Sequence, residues 1–279
     1  FSGCKGLSKI NVNENSNYYA SKDGVLYNKE FTEIVSVPCA IEGDITVPGS
    51  VTKISDCIFG GCSNITGLSI EEGVETIETR AFEECTQMQY AKLPNSIIEI
   101  GESAFQRCSN LKSVTLGNNI EVISDFAFWM CESLSDIVIP NSVTTIGSSA
   151  FGYCKSLKIV NIASNVSSIG EGAFQECSEL EYFEVSPDNK NYVGIDGIIY
   201  DRNMTKIISV PNAIEGNIEI PNGIKKINAR AFQGCNRLDE VTIPSSVKEI
   251  GTCAFMGCSE LSIINIPSTI EYIGTYAFA

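Results

Sequence analysis

Apolar residues recur along the chain with a period of 23. Phenylalanines stand at 59, 82, 105, 128, 151 and 174 and again at 232, 255 and 278, and cysteines follow three residues later at 62, 85, 108, 131, 154, 177, 235 and 258. One unit, residues 146–162, reads Ile-Gly-Ser-Ser-Ala-Phe-Gly-Tyr-Cys-Lys-Ser-Leu-Lys-Ile-Val-Asn-Ile. Leu157, Val160 and Ile162 alternate as a short strand buried on one side does, and so do Leu111, Val114 and Leu116 or Leu134, Ile137 and Ile139. Proline follows that strand at 94, 140, 244 and 267, where it stops the ladder and opens a turn. Val143 with Ile146, and Val247 with Ile250, mark a second extended stretch on the return side. The Ala-Phe-x-x-Cys run, as in Ala104 to Cys108, sets apolar residues at i, i+1 and i+4, which predicts one turn of helix. No coil of this size encloses its own apolar side chains, so the coils must stack. The expected fold is an α/β solenoid, a single domain over residues 1–279, built from short parallel strands plus a short helical turn in each coil.

Stacked equivalents sit about 4.8 Å apart, so the phenylalanines and cysteines form two internal ladders. That separation lies within disulfide reach, but bridging rungs in pairs would break the equivalence of the coils, and a packed thiol in every coil fits the pattern. Cys57 and Cys253 lie off the ladder, at the position of Arg80, Ser103 and Ser149, and are expected to be exposed. The ladder breaks twice: Cys4 to Cys62 and Cys177 to Cys235 each span 58 residues, which is 23 plus 35. The two long units align at an offset of 173, with Tyr19, Asp23-Gly24, Tyr27 and Ser36-Val37-Pro38 matching Tyr192, Asp196-Gly197, Tyr200 and Ser209-Val210-Pro211. Each is read as a β-hairpin insertion, at about 13–47 and 186–220. Phe1 reads as the ladder phenylalanine of a coil already under way, and the chain stops just after Phe278. Neither end carries a polar capping unit, so a segment of a longer protein is expected, monomeric, with end-to-end contacts open to it through the uncapped ends.

The unit Ala-Phe-x-x-Cys-x-x-Leu-x-x-Val-x-Ile-Pro-x-Ser-Val-x-x-Ile-Gly, with its Asp-Gly-[Val/Ile]-[Leu/Ile]-Tyr insertion, resembles the BspA-like leucine-rich repeats of bacterial and protist cell-surface proteins. The resemblance covers essentially the whole chain. Local departures are Ile58 for the usual alanine and Ala91 and Phe183 for the strand valine. It implies a right-handed, curved leucine-rich repeat solenoid with a parallel sheet on the concave face. It also implies surface or secreted display and a role in adhesion to host matrix proteins, and it carries no catalytic motif or cofactor with it.

Composition narrows the chemistry. Nineteen basic against 34 acidic side chains give 19 − 34 = −15, which opposes nucleic-acid and anionic-membrane binding. Without histidine there is no Ser-His-Asp or Cys-His pair and no imidazole metal ligand. Acidic residues crowd two coils, Glu71, Glu72, Glu75, Glu78, Glu83 and Glu84 in one and Glu171, Glu176, Glu179, Glu181 and Glu184 in the other. A solvated face accounts for them better than calcium does, since their spacing matches no calcium loop. No metal or cofactor is expected. Paired carboxylates leave glycan-active chemistry as a distant alternative.

Function then falls to positions that the repeat leaves free. On the strand these are Tyr90 and Lys92, Lys112 and Thr115, Asp136 and Val138, Ile159 and Asn161, and Tyr182 and Glu184. Aromatic anchors among mixed polar neighbours suit a protein-binding strip, whose partner would be an extracellular or host protein or glycoprotein. A second candidate lies on the turn edge, where Phe126, Trp129 and Met130 replace polar residues of other coils and Tyr153 follows one coil later. Stacking should gather these four beside the small Ser149 and Gly152. Each set reads equally well as ordinary surface; for the chain the expected role is a noncatalytic, surface-displayed binding solenoid, with a passive spacer presenting other domains as the alternative.

Overall fold

The computed structural model describes residue 4 and residues 6–279. Each coil gives one strand to each of two parallel sheets. In the first sheet Glu42–Val47, Asn64–Ile70, Tyr90–Lys92 and Ser113–Thr115 lie side by side. Register runs Asp44 to Gly67 to Tyr90 to Ser113. The sheet thins to single bridges, Ser113 with Asp136 and Ile137 with Val160, before Ile159–Ile162 pairs with Tyr182–Val185. The second sheet is built from two-residue strands, from Lys53–Ile54 through Thr76–Ile77, Glu99–Ile100, Val122–Ile123 and Thr145–Ile146 to Ser168–Ile169. The prolines stand at the turn between the sheets: the Val143 N–H donates to the Pro140 carbonyl, and Val247 to Pro244, both at 3.1 Å. In five coils glycine follows the second-sheet isoleucine, at 101, 147, 170, 251 and 274, where the backbones of neighbouring coils touch. A Cβ on Gly147 would lie 2.4 Å from the Asp125 nitrogen.

The expected helical turn does not form. Two residues per coil adopt left-handed backbone, one before the alanine and one before the cysteine: Ser103 (φ 56°) and Arg107 (φ 61°), then Phe126 (φ 58°) and Met130 (φ 60°). A left-handed residue every fourth position prevents the run of right-handed residues that a helix needs. The segment is instead a chain of tight turns whose N–H groups alternate in direction. Ala81, Glu83 and Cys85 donate three residues back, to Glu78, Arg80 and Phe82, while Arg80, Phe82 and Glu84 donate to Glu102, Ala104 and Gln106 of the next coil at 2.8–2.9 Å. The apolar spacing is the same as one helical turn; the hydrogen bonding is that of a sheet edge folded around a corner.

Both ladders lie in the core. Phe59, Phe82, Phe105, Phe128, Phe151 and Phe174 stack at centroid distances of 4.9–5.5 Å, and Phe232, Phe255 and Phe278 resume the series. Phe1 lies outside the described residues. The ladder thiols do more than fill space. Within the regular coils each donates to the carbonyl of the phenylalanine 26 residues earlier, Cys85 to Phe59, Cys108 to Phe82, Cys131 to Phe105, Cys154 to Phe128 and Cys177 to Phe151, at 3.1–3.3 Å, whereas Cys62 and Cys235, after the insertions, donate to Pro38 and Pro211. That carbonyl already accepts an N–H within its own turn, so the sulfur satisfies its second lone pair. Burial pushes the thiol of Cys177 up to about 12 and that of Cys131 well above its usual range. The twelve cysteines are free. Cys57 is exposed as expected, but Cys253 is buried, because it sits in its row between the larger Arg230 and Tyr276, one coil away on either side.

Each insertion is a three-stranded antiparallel meander, one strand more than a hairpin: Tyr19–Lys22, Val25–Asn28 and Ile34–Ser36, then Tyr192–Ile195, Ile198–Asp201 and Lys206–Ser209. The second one ends both sheets. In place of the next parallel strand, the Tyr192 hydroxyl accepts the Ile169 N–H at 3.0 Å and donates to the Ser167 carbonyl at 3.3 Å. The core divides there into two clusters, one from Val25 to Phe183 with Tyr192 and Ile199, the other from Ile198 to Ala277. Asn212 spans the gap in the cysteine ladder. Its Oδ1 accepts the Cys177 N–H and its Nδ2 donates to the Gln233 carbonyl, both at 2.7 Å.

Two outcomes follow. Asn212→Ala leaves two buried backbone groups unpaired, at about 1–3 kcal/mol each, and is expected to lower the urea midpoint and to separate the unfolding of the two cores. Coincident fluorescence and circular-dichroism transitions in the variant would contradict this. The thiols set a pH dependence. A folded-state pKa above the unfolded value of about 8.5 means that stability is intact below that pH. It declines as the pH rises toward about 12, where Cys177 ionises in the fold. A urea midpoint lower at pH 10 than at pH 7.5 is expected, with thiol reagents reaching Cys4, Cys39 and Cys57 first.

Candidate binding surface

Because side chains alternate along a strand, each first-sheet strand turns two residues outward per coil, and the stack aligns them in rows. One row runs Asp44, Gly67, Tyr90, Ser113, Asp136, Ile159 and Tyr182. The next runs Thr46, Ser69, Lys92, Thr115, Val138, Asn161 and Glu184. The strip read from the sequence is therefore one continuous face, with Lys112 at its margin, where its N–H donates to the Gln89 carbonyl. Val138 is 72% exposed and Tyr182 38%, while Tyr90 and Ile159 are half-buried.

The face has two unlike halves. Around Tyr90 it is polar. The Tyr90 hydroxyl donates to Asp44 Oδ2 at 2.7 Å across the intervening strand, and Thr66 Oγ1 donates to Asp44 Oδ1 at 2.7 Å. These two bonds, Thr66 first, hold the Asp44 carboxyl below its usual range, and the carboxylate in turn raises the Tyr90 phenol. Gly67 makes the crossing possible, since a Cβ there would lie 2.3 Å from the Tyr90 ring. Beyond Asp136 the face turns apolar. Val138, Asn161 and Glu184 line an open groove of about 650 Å³ together with Pro140, Asn141 and Pro187.

On the turn edge Trp129 packs edge to face against Phe126 and Tyr153, at centroid distances of 6.4 and 5.7 Å, with the Arg107 guanidinium 5.7 Å from the indole. All three rings are half-buried, as is Met130. Trp129 lies over Gly152, where a Cβ would come within 3.0 Å of its Cδ1. The replacement residues thus fold over the small residue of the next coil.

The acidic residues largely join coils. Glu72 accepts the Asn95 and Ser96 N–H groups at 3.0 Å, Glu71 accepts Gly49, Glu83 accepts Gln106, and Glu78 and Glu84 pair with Lys53 and Arg107. Partners about 23 residues apart are the sequence signal for this role. A second open depression of about 650 Å³ lies on the second sheet, lined by Asp56, Glu78, Glu99, Glu102 and Asp125, and the sequence reading missed it. Asp56 and Asp125 there accept the backbone N–H groups of Thr79 and Ser148. Among the described residues no three thiols or carboxylates are grouped to hold a metal ion.

A repeating two-sheet coil with a non-repeating outward face defines a leucine-rich repeat solenoid. A family model described as BspA type Leucine rich repeat region matches residues 36–157, 121–217 and 210–279, and the chain belongs to that family. Solved structures share the fold. The pneumococcal vaccine antigen PcpA is similar over 96% of this chain and 71% of its own, at 19% identity and a TM-score of 0.65. A leucine rich cell surface protein from Faecalibacterium prausnitzii is similar over 94% and 86%, at 25% identity and 0.63. A leucine-rich repeat protein from Bacteroides ovatus is similar over 96% and 79%, at 22% identity and 0.60. No curated protein matches the chain in sequence.

The sole tryptophan reports on its own patch. Gly152→Val should lift the indole off the turn edge, shifting its emission to the red and raising its quenching by acrylamide. An unchanged spectrum would place the ring elsewhere.

Proposed function

We propose that this chain is a noncatalytic adhesion solenoid, displayed on a cell surface or secreted, that holds an extracellular protein or glycoprotein on its first-sheet face. The observation that carries the reading is Val138: it is 72% exposed and stands beside Asn161 and Glu184 in a groove bounded by prolines. Exposed Tyr182 and half-buried Ile159 occupy the adjoining row. An apolar patch rimmed by polar groups is the makeup of a protein contact. The description of the Faecalibacterium structure as a cell surface protein supports display. The strong negative charge, with Glu184 in the groove, favours protein partners that are neutral or basic where they meet the groove.

Interferometry against a panel of extracellular matrix proteins and mucins tests this. Saturable binding is expected, weakened at least about 10-fold by Val138→Asp with Tyr182→Ala, as befits anchor residues. Silence across the panel, or binding indifferent to both substitutions, would return the chain to a spacer that presents other domains.

A further inference from the structure

The polar half of the first-sheet face is built differently from the groove. Tyr90 does not stand up from the sheet. Its ring reaches over Gly67, so close that a Cβ there would lie 2.3 Å from Cζ and 2.5 Å from the hydroxyl oxygen. The hydroxyl is anchored on Asp44, which Thr66 holds in place. One face of the ring is covered by the strand, and the Lys92 ammonium lies over the ring, 5.5 Å from its centroid. Such a ring is fixed before any ligand arrives, which removes the ordering cost of an anchor. The nearest outward positions carry short hydroxyls, Thr46, Ser69, Ser113 and Thr115, and no aliphatic side chain. Lys112 begins the strand of the neighbouring coil, where its backbone N–H donates to the Gln89 carbonyl. Neither Lys92 nor Lys112 is in a salt bridge among the described residues.

We infer that this half of the face is a subsite for an anionic sugar residue, a pyranose bearing a carboxylate. With Lys92 drawn off the ring to the sugar's carboxylate, the ring's electron-rich face meets the C–H edges of the pyranose. The hydroxyl-bearing rows and the Asp44 carboxylate exchange hydrogen bonds with its diols, and Lys92 and Lys112 take its carboxylate through charge-assisted bonds. A peptide partner fits less well, because nothing beside Tyr90 would receive an apolar side chain.

Titration of the intact chain with sialyllactose, a hexuronate tetrasaccharide and neutral lactose, read by saturation-transfer NMR and calorimetry, tests the assignment. One or both acidic sugars should bind at least about 10-fold more tightly than lactose, and which one does distinguishes a sialic acid from a uronic acid. Tyr90→Ala should abolish binding, Lys92→Gln should weaken it several-fold, and both should weaken with added salt. Gly67→Ala keeps the tyrosine but displaces its ring, so it should lose affinity as Tyr90→Ala does while thermal unfolding confirms a folded chain. Equal affinity for lactose, no saturable signal from either acidic sugar, or binding that survives Tyr90→Ala would overturn the inference. Val138→Asp should leave sugar affinity unchanged, so this result stands apart from that of the protein-binding groove.

Discussion

Between the insertions, the turn segment of a regular coil sends three backbone N–H groups to carbonyls of the coil ahead, and its cysteine sends an S–H to a phenylalanine carbonyl of the coil behind. These are buried polar groups without access to water, so an unpaired one would cost more than a made one gains. Satisfaction of one coil is thus written into the next, and the repeat length can drift by no residue without orphaning a full set of donors. The phenylalanine stack follows from this register, because rings held one rung apart have only the parallel arrangement open to them. So does the glycine that follows the second-sheet isoleucine in five coils, at 101, 147, 170, 251 and 274, where neighbouring backbones press close.

That constraint fixes nearly everything inside and leaves the outward rows unconstrained. The molecule uses the freedom in two ways. Around Tyr90 the rows are hydroxyl-rich and carry unpaired lysines; beyond Asp136 they become apolar and open into a groove. The change falls where the sheet thins to single bridges, so it coincides with a change in the backbone as well as in the side chains. The acidic residues that crowd the sequence belong mostly to the scaffold. Their carboxylates cap turns and join neighbours, and their number says little about partners.

The ladders, the two strands per coil and the paired insertions were legible because each is a periodic signal in residue type. The turn geometry was not. Alanine, phenylalanine and cysteine at i, i+1 and i+4 satisfy a helix and a corner alike. The left-handed positions that decide between them hold Arg, Glu, Phe, Met and Tyr more often than glycine, so composition gives no warning. Cys253 was misplaced for a related reason: its burial depends on the sizes of its neighbours one coil away. The bond between Tyr90 and Asp44 joins residues 46 apart, and its one trace in the sequence is a glycine at 67, where neighbouring coils carry side chains.

The two insertions are alike in sequence and in strand order, and they stand a whole number of rungs apart. Adding or deleting one 23-residue unit between them would move one meander relative to the other by a single step of about 4.8 Å while leaving every contact at either junction intact. The solenoid is therefore a ruler graduated in coils, and lineages that change coil number can retune the separation of two fixed projections without redesigning either.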